Sequence, residues 1–482
     1  MRGCRALTPH RDLPATTLID SESLRNTLAE RGQGHLLRFW DELDLCGRNH
    51  LWGELSELDL DLVNQLMRVA ASPAASSESP DICPPETVTL ADVEADGEHI
   101  QAAREAGIAE LAAGRVGLVL VAGGQASRLG CDGPKGDFPV GAVSSFTLFQ
   151  MHARRILHLT QTYGARMPWY VMTSPANHVQ TQQIFEANSF FGLHRDDVSF
   201  FCQKMLPALA PDGRVLLKDK GELFLAPNGH GGVLEGLSSS GCLEDACERG
   251  VETLSYFQVD NPLVRPADEL FIGLHVLADA DMSSKVVKKA GPAEKVGVLG
   301  RVNGRLGCIE YSDMPEELLS QRDEDGELVF SAGNIAVHAI KVDFIAEITE
   351  GGLSLPWHIA RKKISSLDTD GSPCECDGMK FETFVFDALG LASKSVTLEV
   401  RRESEFAPVK NRQGADSPDT ARELMCALHS GWASRAGMPL PEAGEDGVVS
   451  VEVDPLLAET YEEFSAALPR TPLVTEEGHL YH

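Results

Sequence analysis

Residues 118–136 read LVLVAGGQASRLGCDGPKG. An apolar run, Leu118 to Ala122, gives way to Gly123 and Gly124, then to polar residues that include Arg128, and finally to Lys135 between Pro134 and Gly136. Two adjacent glycines after a buried strand let the backbone turn sharply and approach a ligand with no Cβ in the way. Successive N–H groups in such a turn form a concavity for phosphate oxygens. Arg128 and Lys135 add the positive charge that amides lack. The spacing is neither GxxxxGK[ST] nor GxGxxG, so the two best-known phosphate loops are excluded. On local pattern alone two readings stand, phosphate binding and a plain glycine turn with two solvated cations.

The surrounding text is a strand and helix alternation. LVLVAG is the continuous apolar run of a buried parallel strand, FTLFQMHARRIL has helical spacing, and PWYVMT is again strand-like. Asn177 to Asn188 predicts a helix, VSFFCQ an extended segment, and TLSYFQVD a buried strand that ends in an acid. This is the grammar of a doubly wound α/β domain, in which ligands bind at the carboxyl ends of strands. Gly123, Gln203 and Asp260 all fall at such ends. Further on, Asn303-Gly304 between two extended runs signals a hairpin. Upstream, leucines recur at helical spacing from Asp20 to about Ala71, ASPAASSESPDICPPET reads as a surface linker, and a second helix is expected around His99 to Ala113. From about Arg401 a smaller, more acidic segment carries another amphipathic helix near Thr420 to Ala433.

A chain of 482 residues exceeds what one core usually organises, so more than one domain is expected. The formal charge of −30 argues against general nucleic-acid or anionic-membrane binding, because both need a basic surface. An anionic ligand must therefore be met by a few local cations or a metal. Eleven cysteines, an odd number without a CxxC pair, fit reduced thiols better than a disulfide framework, and Cys374 with Cys376 is a weak zinc signal. The stretch MRGCRALTPHRDLP lacks the apolar core of a signal peptide, and no run approaches the roughly 20 apolar residues of a membrane span. A cytoplasmic protein is expected.

AGGQASRLGCDGPKG is similar to the signature loop of nucleotidyltransferases that make nucleotide sugars. More narrowly, the chain resembles the eukaryotic UDP-N-acetylhexosamine pyrophosphorylases, through FCQKMLPAL, APNGHGGVLEGL, QVDNPLVRPADELFIG, IEYSDMP, FSAGNIAVH, DGMKFETFVFD and VRRESEFAPVKN, which follow in the family's order between Ala122 and Asn411. The resemblance implies a Rossmann-like nucleotidyltransferase core with smaller N- and C-terminal domains: a mainly helical part over 1–105, the catalytic domain over 106–400 and a C-terminal domain over 401–482. It implies Mg2+-dependent (or other divalent-cation-dependent) transfer of uridylyl from UTP to an N-acetylhexosamine 1-phosphate, with pyrophosphate released. Gly123, Gly124, Arg128 and Lys135 are then expected at the phosphates, Asp260 at the metal, Gln203 and Gly229 at uracil, and Glu310, Tyr311 and Asn334 at the sugar. Lys380 and Lys410 are expected to meet phosphates, Lys380 that of the sugar. Without the family context Asp260 reads as a helix cap or turn acid, Glu310, Tyr311 and Asn334 as hairpin or turn residues, and the two lysines as solvated.

The chain departs from the family at several points. Asn228-Gly229-His230-Gly231-Gly232 stands where Asp-Gly-Asn-Gly-Gly is usual, so His230 brings an imidazole to a position expected in the substrate site and predicts a titration near about pH 6 to 7. Ala126 and Lys204 each replace a glycine, and GDFPVGAVSS follows Lys135 in place of a stretch ending in Leu-Pro-Ser. These changes leave open another hexose 1-phosphate as substrate, or a nucleotide-sugar-binding paralogue of weak turnover. GlcNAc against GalNAc and the oligomeric state are left open as well.

Overall fold

Val116–Val121 is buried because it runs between two parallel neighbours, Thr253–Gln258 on one side and Trp169–Thr173 on the other. Val198–Cys202 extends this parallel block beyond Trp169–Thr173. The computed structural model describes residues 21–71, 81–353, 355–445, 447–468 and 471–482. The segment MRGCRALTPHRDLP and residues 72–80 of the Ser/Pro-rich linker lie outside them.

The sheet has ten strands and is mixed. On the far side of Thr253–Gln258 the long strand Ala332–Lys341 joins antiparallel, followed by Val298–Val302 and the two-residue strand Ile82–Cys83, also antiparallel. Ile82–Cys83 belongs to the stretch expected to be linker. Its backbone pairs with Val302 and Arg301, Asn303 Oδ1 accepts from Asp81 N, and Ile82 packs against the Val298, Ile309, Met314 and Phe330 cluster, so a segment with no apolar pattern is recruited as a sheet edge by pairing and one apolar contact. Val298–Val302 and Arg305–Ile309 form the expected hairpin, with Asn303 at φ 51° and Gly304 at φ 81°, the two left-handed positions that an Asn-Gly turn supplies.

Alternate residues of the central strands face two cores, as a sheet covered on both sides requires. Leu118 and Leu120 pack with residues of the helices Glu98–Ala112, Leu148–Tyr163 and Glu269–Leu277. Val119, Tyr170 and Met172 pack with the helices Gly232–Ser239, Cys242–Glu248 and Val342–Thr349. The architecture is the doubly wound α/β class. Beyond it lie the helix Pro418–Arg435 and the small sheet of Val451–Val453, His479–Tyr481 and Leu473–Val474. This region is tied to the helix Leu148–Tyr163 by Arg154 with Asp454 and by Arg155 with Glu459 at 2.8 Å.

The chain packs as two compact units that interleave in sequence: Met1–Ala75, Met205–Ala226 and Ile359–Phe381 form the first, and Ser76–Lys204, Pro227–His358 and Glu382–His482 the second. In the first, the helices Ser21–Glu30, Leu45–Glu57 and Leu60–Ala71 accompany short hairpins and the paired strands His358–Leu367 and Pro373–Glu382, whose last or first residues cross into the second unit. Gln33 bonds the 213–215 turn through both ends of its amide, to Gly213 O and from Val215 N, each at 2.9 Å. No helix among the described residues is long and apolar enough to cross a membrane.

The helices Glu98–Ala112 and Glu269–Leu277 meet at glycines. A Cβ on Gly107 would overlap the carbonyl of Glu269, and one on Gly273 that of Ala103. Backbone opposes each substitution, and no side chain can swing aside. Gly107→Ala is therefore expected to cost about 3 kcal/mol, the upper range of an overpacking penalty. Urea unfolding measures it, and a loss below about 0.5 kcal/mol would show that the two helices separate freely.

Candidate active site

The glycine loop is supported from below by a buried Ser-Asn pair. Ser174 Oγ donates to Gly123 O at 2.8 Å, and Asn177 Nδ2 donates to Ala122 O at 2.9 Å and Gly124 O at 3.3 Å. Asn177 is itself held, since its Oδ1 accepts from Ser174 N at 2.8 Å. Three successive carbonyls thus point to one side, while the N–H groups of Gly123 and Gly124 donate to nothing among the described residues. A Cβ on Gly124 would have no heavy atom within 4 Å, so the loop opens there onto free space. At Gly123 a Cβ would come to 2.9 Å from Gln203 Oε1, which brings together two residues expected to touch the same nucleotide. Gln203 is buried, its N–H bonded to Thr173 O at 2.8 Å. Sequence reasoning missed Ser174 and Asn177. Their signal was small polar residues directly after the strand PWYVMT, at the end where α/β sheets carry function.

Lys135 returns beneath the loop, its N–H donating to Gly124 O at 3.1 Å. Its ammonium lies 3.9 Å from Asp260 Oδ2, with both side chains largely buried. That separation is too long for a hydrogen bond. Opposite charges are thereby held close without being locked together. The turn carrying Asp260 is fixed from two directions. From the helix Leu148–Tyr163, His152 bonds Val259 O at 3.0 Å and Arg155 bonds Pro262 O. Burial pushes His152 down to about 3, so the ring is neutral and its Nε2–H is the donor to that carbonyl. From the other direction, Val409 N donates to Asp260 O at 2.8 Å, and Asn261 bonds both Glu405 O and Ala407 N.

A cleft opens at this turn, lined by Gln258, Asp260, Asn334, Phe406 and Lys410 among others. Asn334 enters it through a bulge: Val286 pairs with Asn334 but Lys285 with Val337, so Ile335 and Ala336 are extruded, with Ala336 at φ 56°. A left-handed alanine costs on the order of 1 kcal/mol and persists where surrounding structure imposes it. Asn334 Oδ1 caps the bulge by accepting from Ala336 N at 2.9 Å. Lys410 is exposed at the rim, its N–H bonded to Asp416 O. Gln258 and Asn261 were not singled out from sequence, although both flank Asp260.

The other expected residues divide. Arg128 is exposed on the short 3-10 turn Ala126–Leu129. Glu310 is half-buried next to Gly297 and Cys308, and burial raises its carboxyl. Tyr311 is exposed. Gly229, at φ 81°, lies so close to Thr383 that any Cβ would strike its carbonyl. His230 stacks on Phe384 at 5.1 Å, and its Nδ1 accepts from Val385 N at 3.1 Å. Burial pushes its pKa down to about 4, so the expectation of a His230 titration near pH 6 to 7 is corrected: this imidazole stays neutral throughout that range. Lys380 belongs to the first unit, where its ammonium sits 4.6 Å from the Phe224 ring. The three side chains close enough to share a cation among the described residues, His50, Glu54 and Glu222, are also in that unit and include none of the residues above.

A doubly wound sheet with these groups at its carboxyl ends has the fold of the UDP-sugar pyrophosphorylases. The UDP-N-acetylglucosamine pyrophosphorylase of Trypanosoma brucei, solved with an inhibitor, superposes with a TM-score of 0.80 at 26% identity over 95% of this chain and 96% of that one. Residues 70–481 match the UTP–glucose-1-phosphate uridylyltransferase family, and the chain belongs to it. It is 39% identical to the UDP-N-acetylhexosamine pyrophosphorylase-like protein 1 of Xenopus tropicalis, over 86% of this chain and 85% of the relative. It is 34% identical to the UDP-N-acetylglucosamine diphosphorylase 2 of Arabidopsis thaliana, over 92% and 91%.

Asn177→Ala removes the amide donor from two loop carbonyls, Ala122 O and Gly124 O, while touching no ligand. Lost buried hydrogen bonds of this kind cost about 1–3 kcal/mol. Nucleotide affinity by calorimetry is expected to fall roughly ten- to a hundredfold. Unchanged affinity would mean that the loop keeps its shape unaided.

Proposed function

We propose that the protein transfers uridylyl from UTP to an N-acetylhexosamine 1-phosphate and releases pyrophosphate. The observation that carries this reading is the meeting of Gly123, Gly124, Lys135 and Asp260 at the ends of two adjacent parallel strands. The names of the relatives support the sugar class. A sugar 1-phosphate, with a second pKa of about 6, is largely dianionic at neutral pH and attacks the α-phosphorus without a general base. The protein then has to align the reactants and offset charge. The unpaired N–H groups of Gly123 and Gly124 and the ammonium of Lys135 are suited to the UTP phosphates and the departing pyrophosphate. Arg128 and Lys410, exposed at either side, can supply further charge. Gln203, an amide pressed against the loop, is suited to reading a base edge.

Asp260 fits a divalent cation such as Mg2+. Its carboxylate is a hard oxygen donor, nearly buried, with Lys135 at 3.9 Å as its nearest charge, and Mg2+ is commonly held by one or two carboxylates plus substrate phosphates. When bound, the cation would neutralise charge on the phosphates. The cysteines among the described residues are free thiols, which supports a cytoplasmic location. A different hexose 1-phosphate is the second reading, favoured by the His230 imidazole at a position where the family usually carries a carboxamide.

Pyrophosphate release with UTP, Mg2+ and a panel of sugar 1-phosphates tests the proposal, and N-acetylhexosamine 1-phosphates are expected to be used best. Lys135→Ala is expected to lower kcat/KM by about a hundredfold, since a preorganised charge at a developing anion is worth ~3 kcal/mol. Asp260→Asn is expected to remove most Mg2+-dependent turnover with little change in Tm. Release with no sugar phosphate would remove the enzyme reading.

A further inference from the structure

Three rings lie one on another, the outermost within electrostatic reach of Glu310. His358 stacks on Phe384 with centroids 4.2 Å apart and 29° between planes, and Phe384 stacks in turn on His230. Phe386 closes the lower end against both Phe384 and His230. The His358 side chain is 31% exposed, and its Nε2 meets Asp387 Oδ2 at 2.8 Å. Asp387 is nearly buried and is anchored independently, because the same oxygen accepts from Phe384 N at 3.3 Å. Its carboxylate therefore holds the histidine with one nitrogen engaged and leaves Nδ1 for a ligand.

We infer that His358, oriented by Asp387 and by the Phe384 face, is a specificity-determining contact that presents an N–H donor from Nδ1 to an oxygen of the sugar 1-phosphate beside Glu310. This rests on the uridylyltransferase reading and on the family resemblance, which implies Glu310 at the sugar. The two groups are complementary: a hexosamine offers hydroxyl and amide N–H donors to a carboxylate and a carbonyl or hydroxyl oxygen to an imidazolium. Asp387, then Glu310 and Asp313, hold the His358 pKa above its ordinary value against the opposing effect of burial. The remaining titratable neighbours are neutral near pH 7, since burial pushes His230 down to about 4 and the Cys308 thiol up. With the folded pKa raised, Nδ1–H is present at low pH and is lost as pH rises through that pKa. Binding of the sugar phosphate weakens over the same interval.

The test is a set of pH profiles of kcat/KM, for the sugar 1-phosphate and for UTP separately, with wild type, His358→Gln and Asp387→Asn. The wild type is expected to lose sugar 1-phosphate efficiency on the alkaline side. His358→Gln is expected to be about ten- to a hundredfold weaker at pH 6, the worth of a hydrogen bond to a charged group, with the alkaline fall abolished. Asp387→Asn is expected to move that fall to lower pH. KM for UTP is expected to be unchanged in both variants. The second ionisation of the sugar phosphate affects all three proteins alike and serves as the internal reference. Superimposable profiles in active proteins would overturn the inference, as would an equal change in KM for UTP. A wild type inactive with every sugar phosphate would overturn the uridylyltransferase reading itself.

Discussion

Parallel pairing of Val116–Val121 with Thr253–Gln258 is the constraint on which the site depends. The register sets Val121 opposite Gln258, so the two chains leave the sheet at the same level, one into the glycine loop and the other into Asp260. Neither segment could meet the other if either strand slipped, because a one-residue slip in a sheet buried on both faces reverses every side chain. Such a slip would misfit side chains in both cores, which are close-packed. Charge placement follows from hydrophobic burial.

What surrounds these two strand ends keeps them from relaxing. The loop rests on Ser174 and Asn177, which come from the end of the next parallel strand. The Asp260 turn is braced by His152 and Arg155 on one side and by the 405–409 segment on the other. A protein with a formal charge of −30 repels a triphosphate at long range. Preorganised N–H groups and a lysine held apart from its partner carboxylate offset this locally. A lysine already bonded to Asp260 would have to break that contact before it met phosphate.

Much of this was legible in the sequence because burial on both faces writes itself as continuous apolar runs. LVLVAG, PWYVMT and TLSYFQVD appear as Val116–Val121, Trp169–Thr173 and Thr253–Gln258, and the Asn303-Gly304 turn forms where its chemistry requires. Features made by pairing between segments distant in the chain were not legible. Ile82–Cys83 joins the sheet from a stretch with linker composition, and the bulge that projects Asn334 depends on a two-residue mismatch with a distant strand. His358 and Asp387 are ordinary residues 29 positions apart, joined only by folding. The interleaving of the two units, with Met205–Ala226 and Ile359–Phe381 gathered beside the N-terminal helices, likewise has no mark in a reading made along the chain. His230 was noticed by its type, but its rings and its bond from Val385 N were out of reach, and with them its low pKa.

The role of the glycine loop, Lys135 and Asp260 depends on where the triphosphate lies. A crystal structure with UTP and Mg2+ is the direct measurement. It is expected to show phosphate oxygens bonded to the N–H groups of Gly123 and Gly124 and to Lys135 Nζ, and the Asp260 carboxylate would hold the cation. A triphosphate bound elsewhere, with Lys135 and Asp260 closed into a direct hydrogen-bonded pair, would contradict it.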